Sequence, residues 1–209
     1  MKKLLFVLVL AVLCSSVARA GDFEDGMEAY SKKNYTAAIA KLKLAAAQGH
    51  LESQLNLGNM YDKGDVVVQD YAEAMKWYKL AATQNDAQAQ FHIGFMYNFA
   101  QGVVQDYAEA MKWYKLASAQ DFPEAQFHIG ELYSEGHGVV KDHAEAMKWY
   151  KLAAAQGDVK AKASLASMYL LGRDFEKLSV VRDWDEARKW YKLAAAQGHL
   201  SSQVNLGHM

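Results

Sequence analysis

From residue 50 onward the apolar residues recur three and four apart. Leu55, Leu57, Met60 and Tyr61 form one stripe, and Ala74, Tyr78, Ala81 and Ala82 form the next. Both are helical spacings with one face to bury. They predict a helix over about Glu52–Asp62 (helix A) and a second opening at Asp70 (helix B). The pair then returns. Trp-Tyr-Lys-Leu-Ala begins at Trp77, Trp113, Trp149 and Trp190, at spacings of 36, 36 and 41 residues. A degenerate copy, Lys41-Leu42-Lys43-Leu44-Ala45, precedes the first by 36. Gly58, Gly94, Gly130, Ala166 and Gly207 keep the same register. A period of this length predicts an array in which each unit needs its neighbours to bury its apolar face.

Gly58 lies inside its stripe. A glycine there costs about 1 kcal/mol against alanine, so it implies a close approach by the partner helix. Gly64, Gly136 and Gly172 mark the ends of helix A, with Ala100 in that place in one unit. Helix B opens on a capping signal, Asp70/Glu73, repeated as Asp106/Glu109, Asp142/Glu145 and Asp183/Glu186. In such a box the aspartate accepts from the N3 amide and the glutamate reaches back to the cap amide. Asn34 keeps the cap in the first copy. Asn85, Asp121, Gly157 and Gly198 suit the left-handed residue after helix B. Pro123 falls in a first helical turn, where its missing N–H is harmless. The expected units are 21–49, 50–85, 86–121, 122–157 and 158–198, with a half unit at 199–209. Unit 158–198 carries five extra residues around Arg173–Arg182. The expected fold class is all-α, an α/α superhelical solenoid of helix-pair repeats.

Residues 1–20 stand apart. Lys2 and Lys3 precede the apolar run Leu4–Cys14, and Ala18-Arg19-Ala20 ends the segment. This is the pattern of a cleavable signal peptide cut after Ala20, and the run is short for a membrane span. The expected location is periplasmic or secreted, with no membrane insertion after cleavage. Cleavage would remove three of the 23 basic residues and none of the 24 acidic ones, leaving a net charge of −4. It would also remove the single cysteine, Cys14, so disulfides, cysteine-based zinc sites and a cysteine nucleophile are not expected in the mature chain.

Composition narrows the classes further. Hydrophobic residues make up 52% of the 209, which excludes a disordered chain, and one proline argues against a turn-rich β fold. A pI near 6.7 gives no reason to expect nucleic acid as the partner.

The residues Gly58…Tyr61…Gly64…Asp70…Ala74…Trp77-Tyr78…Ala81-Ala82 resemble Sel1-like repeats, relatives of the tetratricopeptide repeat. Residues 129–140 and 146–150 give the closest copy. The resemblance covers about 50–209, and the first unit looks more like a tetratricopeptide-type start. It implies an α/α solenoid that scaffolds protein complexes, of a kind often exported by bacteria and in some cases involved in contact with host cells. A cysteine-rich branch of the family is associated with β-lactam or peptidoglycan-fragment binding. This chain lacks the paired cysteines of that branch, whose activity is the alternative functional reading.

Positions that repeat are expected to pack or cap, and positions that vary to be free of that duty. On helix A the varying positions fall on one face. They read Glu52, Asn56, Asn59, Lys63; Gln88, His92, Phe95, Phe99; Glu124, His128, Glu131, Glu135; and Lys160, Ser164, Ser167, Leu171. If A helices line the concave side, a protein or peptide partner would meet Asn56, Asn59, Lys63, His92, Phe95, Phe99, His128, Glu131, Glu135, Ser164 and Ser167. Phe95 and Phe99 are either a hot spot or packing against the next unit. His92 and His128 are either solvated or two ligands of a metal, and no H-E-x-x-H pattern supports the metal. The tryptophan series is either a sugar-stacking ladder or repeated packing. Lys76, Lys112, Lys148 and Lys189 read as a solvated face. No G-x-S-x-G, P-loop or S-x-x-K motif with its K-T-G partner is present, so neither an enzyme nor a cofactor is expected. The half unit at 199–209 could cap the array, dock on a second chain, or mark a truncation.

Overall fold

The computed structural model describes residues 21–172 and 182–209. Residues 1–20, expected from the sequence to be a signal peptide, and most of the five-residue insertion lie outside them. Among the described residues the regular structure is helical: α1 (21–31), α2 (Tyr35–Ala47), α3 (Leu51–Lys63), α4 (Tyr71–Ala82), α5 (Ala87–Asn98), α6 (Tyr107–Ser118), α7 (Pro123–Glu135), α8 (His143–Ala155), α9 (Val159–Leu171), α10 (Trp184–Ala196) and α11 (Leu200–Gly207). Odd-numbered helices are A helices and even-numbered ones B helices. The chain is an all-α solenoid of helix-pair repeats.

Two compact units emerge. The first holds the described residues up to Ile93 together with 101–103, and the second holds Gly94–Ala100 and everything from Val104 on. In the first, α2 packs on α3 and α3 on α4. Leu42, Ala46, Leu57 and Trp77 form a core there, with Phe23, Ile39, Met60 and Tyr61 against it. In the second, α6 to α11 pack in sequence. Phe127, Ala146, Tyr150, Ala153, Ala154, Ala161, Leu165 and Met168 form a core there, with Trp190 against it. Trp77 and Trp190 are therefore framework. Trp77 is 7% exposed, and the indole N–H groups of Trp113 and Trp190 donate to Glu109 and Glu186 of their own helices, both at 3.0 Å.

The caps form, but the box does not. Asp70, Asp106, Asp142 and Asp183 each accept from the N3 amide at 2.9–3.0 Å. The glutamates do not reach back. The cap amides of Asp70, Asp106, Asp142 and Asp183 donate instead to the carbonyls of Tyr61, Tyr97, Tyr133 and Tyr169, at 2.9–3.0 Å. Those carbonyls lie near the C-terminal ends of the A helices, where the helix leaves acceptors orphaned. One bond thus satisfies an end of each helix in the pair and fixes their separation. The glutamates are released to pair with Lys76, Lys112, Lys148 and Lys189 along helix B, at 2.7–3.1 Å.

Helix ends follow the expected chemistry. Gly64 and Gly136 cap α3 and α7 at φ 72° and 77°, and Asn85, Asp121, Gly157 and Gly198 all have positive φ. Ala100 also sits at φ 55°, a conformation that costs an L-residue about 1 kcal/mol. Two caps had no signal in the sequence. His50 and His199 accept through Nδ1 from the amides of Ser53 and Ser202, at 3.2 and 3.3 Å.

Candidate functional site

The site begins with the A-helix glycine. A Cβ added to Gly58 would lie 2.5 Å from the Tyr78 ring, and one on Gly130 would lie 2.6 Å from the Tyr150 ring. Gly94 meets Tyr114 in the same way, at 2.8 Å. The close approach predicted for the partner helix is made by this tyrosine, laid flat on the A-helix backbone. The ring is fully or almost fully buried, so its hydroxyl must find a partner there.

That requirement consumes part of the varying face. In the first unit the Tyr78 hydroxyl donates to Asn59 Oδ1 at 2.8 Å, with Asp62 at 3.4 Å. Burial, followed by the charge of Asp62, pushes the Tyr78 hydroxyl far above its usual range, while burial also raises Asp62. In the second unit Asn98 engages Tyr114, Ser134 and Ser164 engage Tyr150, and Ser167 meets Tyr191 at 3.1 Å. The expectation that varying positions are free of packing duty is therefore corrected. Asn59, Ser164 and Ser167 vary, yet each engages a buried tyrosine hydroxyl, Asn59 and Ser167 from the same register position and Ser164 from the neighbouring repeat.

The histidines are corrected likewise. His92 stacks on Tyr78 within the first unit, centroids 4.6 Å apart and planes within 5°. Burial, aided by the Lys63 charge, lowers its pKa to about 4, so it is neutral at physiological pH. His128 stacks on Tyr114 in the second unit at 5.4 Å, is 7% exposed, and places Nδ1 2.7 Å from Glu131. It is not solvated. Among the described residues no group of three metal-ligating side chains converges.

Phe95 and Phe99 touch, with centroids 4.3 Å apart, and both stand edge-on to His128 at 5.6 and 6.0 Å. Their contacts are those of packing between adjacent repeats, although Phe99 remains 49% exposed.

The remaining candidates line two open clefts, one in each unit. In the first unit Asn56, Asn59 and Lys63 join Met27, Tyr30, Met60, Asp65 and Val66 around about 250 Å³. In the second unit Glu131, Glu135, Ser164 and Ser167 line a cleft of about 380 Å³. Tyr150 and Tyr191 contribute to it from the B helices, Lys160 from α9, and Ser201 and Asn205 from α11. Sequence reasoning had left out the two tyrosines, assigned to packing, and the α11 residues, assigned to an incomplete unit. The register of Ser201 and Asn205, 41 residues after Lys160 and Ser164, could have pointed to them.

The chain belongs to the Sel1 repeat family, whose repeat matches residues 19–50, 51–86, 87–122, 123–158 and 159–199. Its fold is one that serves as a protein-interaction scaffold. It is similar to c5321, a protective antigen present in uropathogenic Escherichia coli strains displaying an SLR fold. The two are 36% identical with a TM-score of 0.82, over 91% of this chain and 41% of that one. It spans about two fifths of that relative's length. It is equally similar to a Sel1 repeat protein from Oxalobacter formigenes, at 36% identity and a TM-score of 0.80, over 89% of this chain and 74% of that one. A Klebsiella pneumoniae protein described as a putative sel1 repeat protein, 18% identical with a TM-score of 0.57 over 93% and 94% of the two chains, shares the fold alone. No curated protein sequence matches.

Proposed function

We propose that the protein is exported and holds a protein or peptide partner on the polar clefts of its A helices, with no covalent chemistry of its own. The carrying observation is the division of labour along each repeat. Gly, Tyr, Trp and the aspartate caps are spent on packing and helix ends. The A-helix residues that line the open clefts are mostly polar and differ from repeat to repeat. Such a surface recognises by shape and hydrogen bonding. The segment 1–20 supports export. The description of the E. coli relative as a protective antigen is in keeping with a role outside the cytoplasm.

The test has two arms. Expression of the full chain in a Gram-negative host, followed by fractionation and N-terminal sequencing, should recover a protein beginning at Gly21 in periplasm or medium. Uncleaved protein in the cytoplasm would refute export. Crosslinking the mature chain in envelope and medium fractions should capture a partner that is released by substitutions in the clefts and retained by substitutions on the B helices. The reverse pattern would refute the proposed face.

A further inference from the structure

The cleft of the second unit carries a chemistry that the family fold does not specify. It is a depression of about 380 Å³ with a floor and two unlike walls. The floor is Tyr150, Met168 and Tyr191, each 2–4% exposed. On one wall Glu131 and Glu135 stand one helical turn apart on α7; Glu131 keeps 42% of its side chain exposed while one carboxylate oxygen, Oε2, meets His128 Nδ1 at 2.7 Å. On the other, Ser201 and Asn205 stand one turn apart on α11 and line the cleft without a side-chain hydrogen bond among the described residues. Lys160 also lines the cleft, but its ammonium lies over the Phe127 ring, 5.9 Å from the centroid.

Each part of this lining asks for a different part of a ligand. An amide and a hydroxyl with free hydrogen-bonding capacity suit a peptide main chain, which offers a donor and an acceptor at every residue. A pair of carboxylates beside a partly desolvated floor suits a guanidinium or ammonium group. A volume of this size is of the order of ordinary ligand sites and accommodates a few residues of extended chain.

We propose that this cleft binds an extended peptide, its main chain along α11 and an arginine or lysine side chain against Glu131 and Glu135. The inference rests on the reading of the A-helix clefts as the binding face and names the partner's chemistry.

The experiment is selection of a phage-displayed random dodecamer library on the mature chain, on the double variant Glu131→Gln/Glu135→Gln, and on the control Glu124→Gln. Glu124 is an exposed glutamate of α7 that does not line the cleft. Circular dichroism checks that all three fold alike. The expected result is enrichment of peptides with a shared basic position from wild type and control. A synthetic peptide from that pool should bind the double variant about tenfold more weakly, the scale for loss of two partly exposed ion pairs. Its affinity should fall with added salt. Enriched peptides without a basic position, or with affinity unchanged in the double variant, would overturn the assignment while leaving peptide binding intact. Enrichment of no peptide at all would overturn both the assignment and the reading beneath it.

Discussion

Gly130→Ala is the sharpest test of how the repeats are held together. The added Cβ would meet Tyr150 Cδ1 and Cε1 at 2.6 Å and Cζ at 3.2 Å. That is about 1 Å inside ordinary carbon contact, so the ring or the helix must move. The ring is hemmed in. Tyr150 is 4% exposed, packs against Phe127 at a centroid distance of 5.7 Å, and is held through its hydroxyl by Ser134 and Ser164. Overpacking of this kind costs about 1–3 kcal/mol. Helix propensity pulls the other way, since alanine is better than glycine in mid-helix by about 1 kcal/mol. Alanine already stands at this register in Ala166, where the paired Tyr191 is 2% exposed, so a helix pair can widen enough to admit a methyl. The net expectation is a loss of up to about 2 kcal/mol, centred near about 1 kcal/mol, where it would lower Tm by about 2–4 °C for a chain of this size. Urea and thermal unfolding followed by circular dichroism provide the assay. Gly207→Ala is the matched control, because nothing lies within 4 Å of a Cβ there, and its stability should hold or rise slightly. If Gly130→Ala were stabilising by the full propensity gain, the glycine would not be serving the tyrosine and the account of the repeat would fail.

The pH dependence of stability should carry the signature of His92. Its folded pKa of about 4 lies below the ordinary 6.5, so its share of stability is complete above pH 6.5 and declines as pH falls toward 4, by about 2 kcal/mol at about pH 5. The raised Asp62 carboxyl acts in the opposite sense at lower pH, so the slope is best read above pH 5. Urea midpoints for wild type and His92→Phe should diverge in that window; parallel curves would show that the ring is not the sensor. Ala100→Gly should stabilise the chain by about 0.5–1 kcal/mol by relieving the positive φ, read as a higher urea midpoint at constant slope. Phe99→Ala should cost about 1 kcal/mol of stability through loss of its ring contact with Phe95. An unchanged melting temperature would return Phe99 to the list of candidate binding residues.

Much of this molecule was legible in the residue order because a repeat is its own alignment. The 36-residue register fixed the helix pairs. Asp70 and its equivalents fixed the start of each B helix, and Gly58 and its equivalents fixed where a partner must come close. These are local or periodic rules, and they hold wherever the neighbouring unit obeys them too. What recurred was read correctly as framework. Two readings failed: that the recurring glutamates would close a capping box, and that what varies is free. Asn59, Ser164 and Ser167 vary, yet each serves a buried tyrosine hydroxyl, and His92 and His128 lie flat on tyrosine rings.

The chain's order alone determined that helices would pair and stack, because helical periodicity and caps act within a few residues of themselves. Only the tertiary structure decided which side chain answers each buried hydroxyl, and which polar groups remain for a partner. A hydroxyl withdrawn from water can donate to any acceptor, or accept from any donor, that reaches it. Reach depends on distances between helices that no local pattern encodes. The same distances sent the cap amides to the tyrosine carbonyls of the A helices and left the glutamates to lysine.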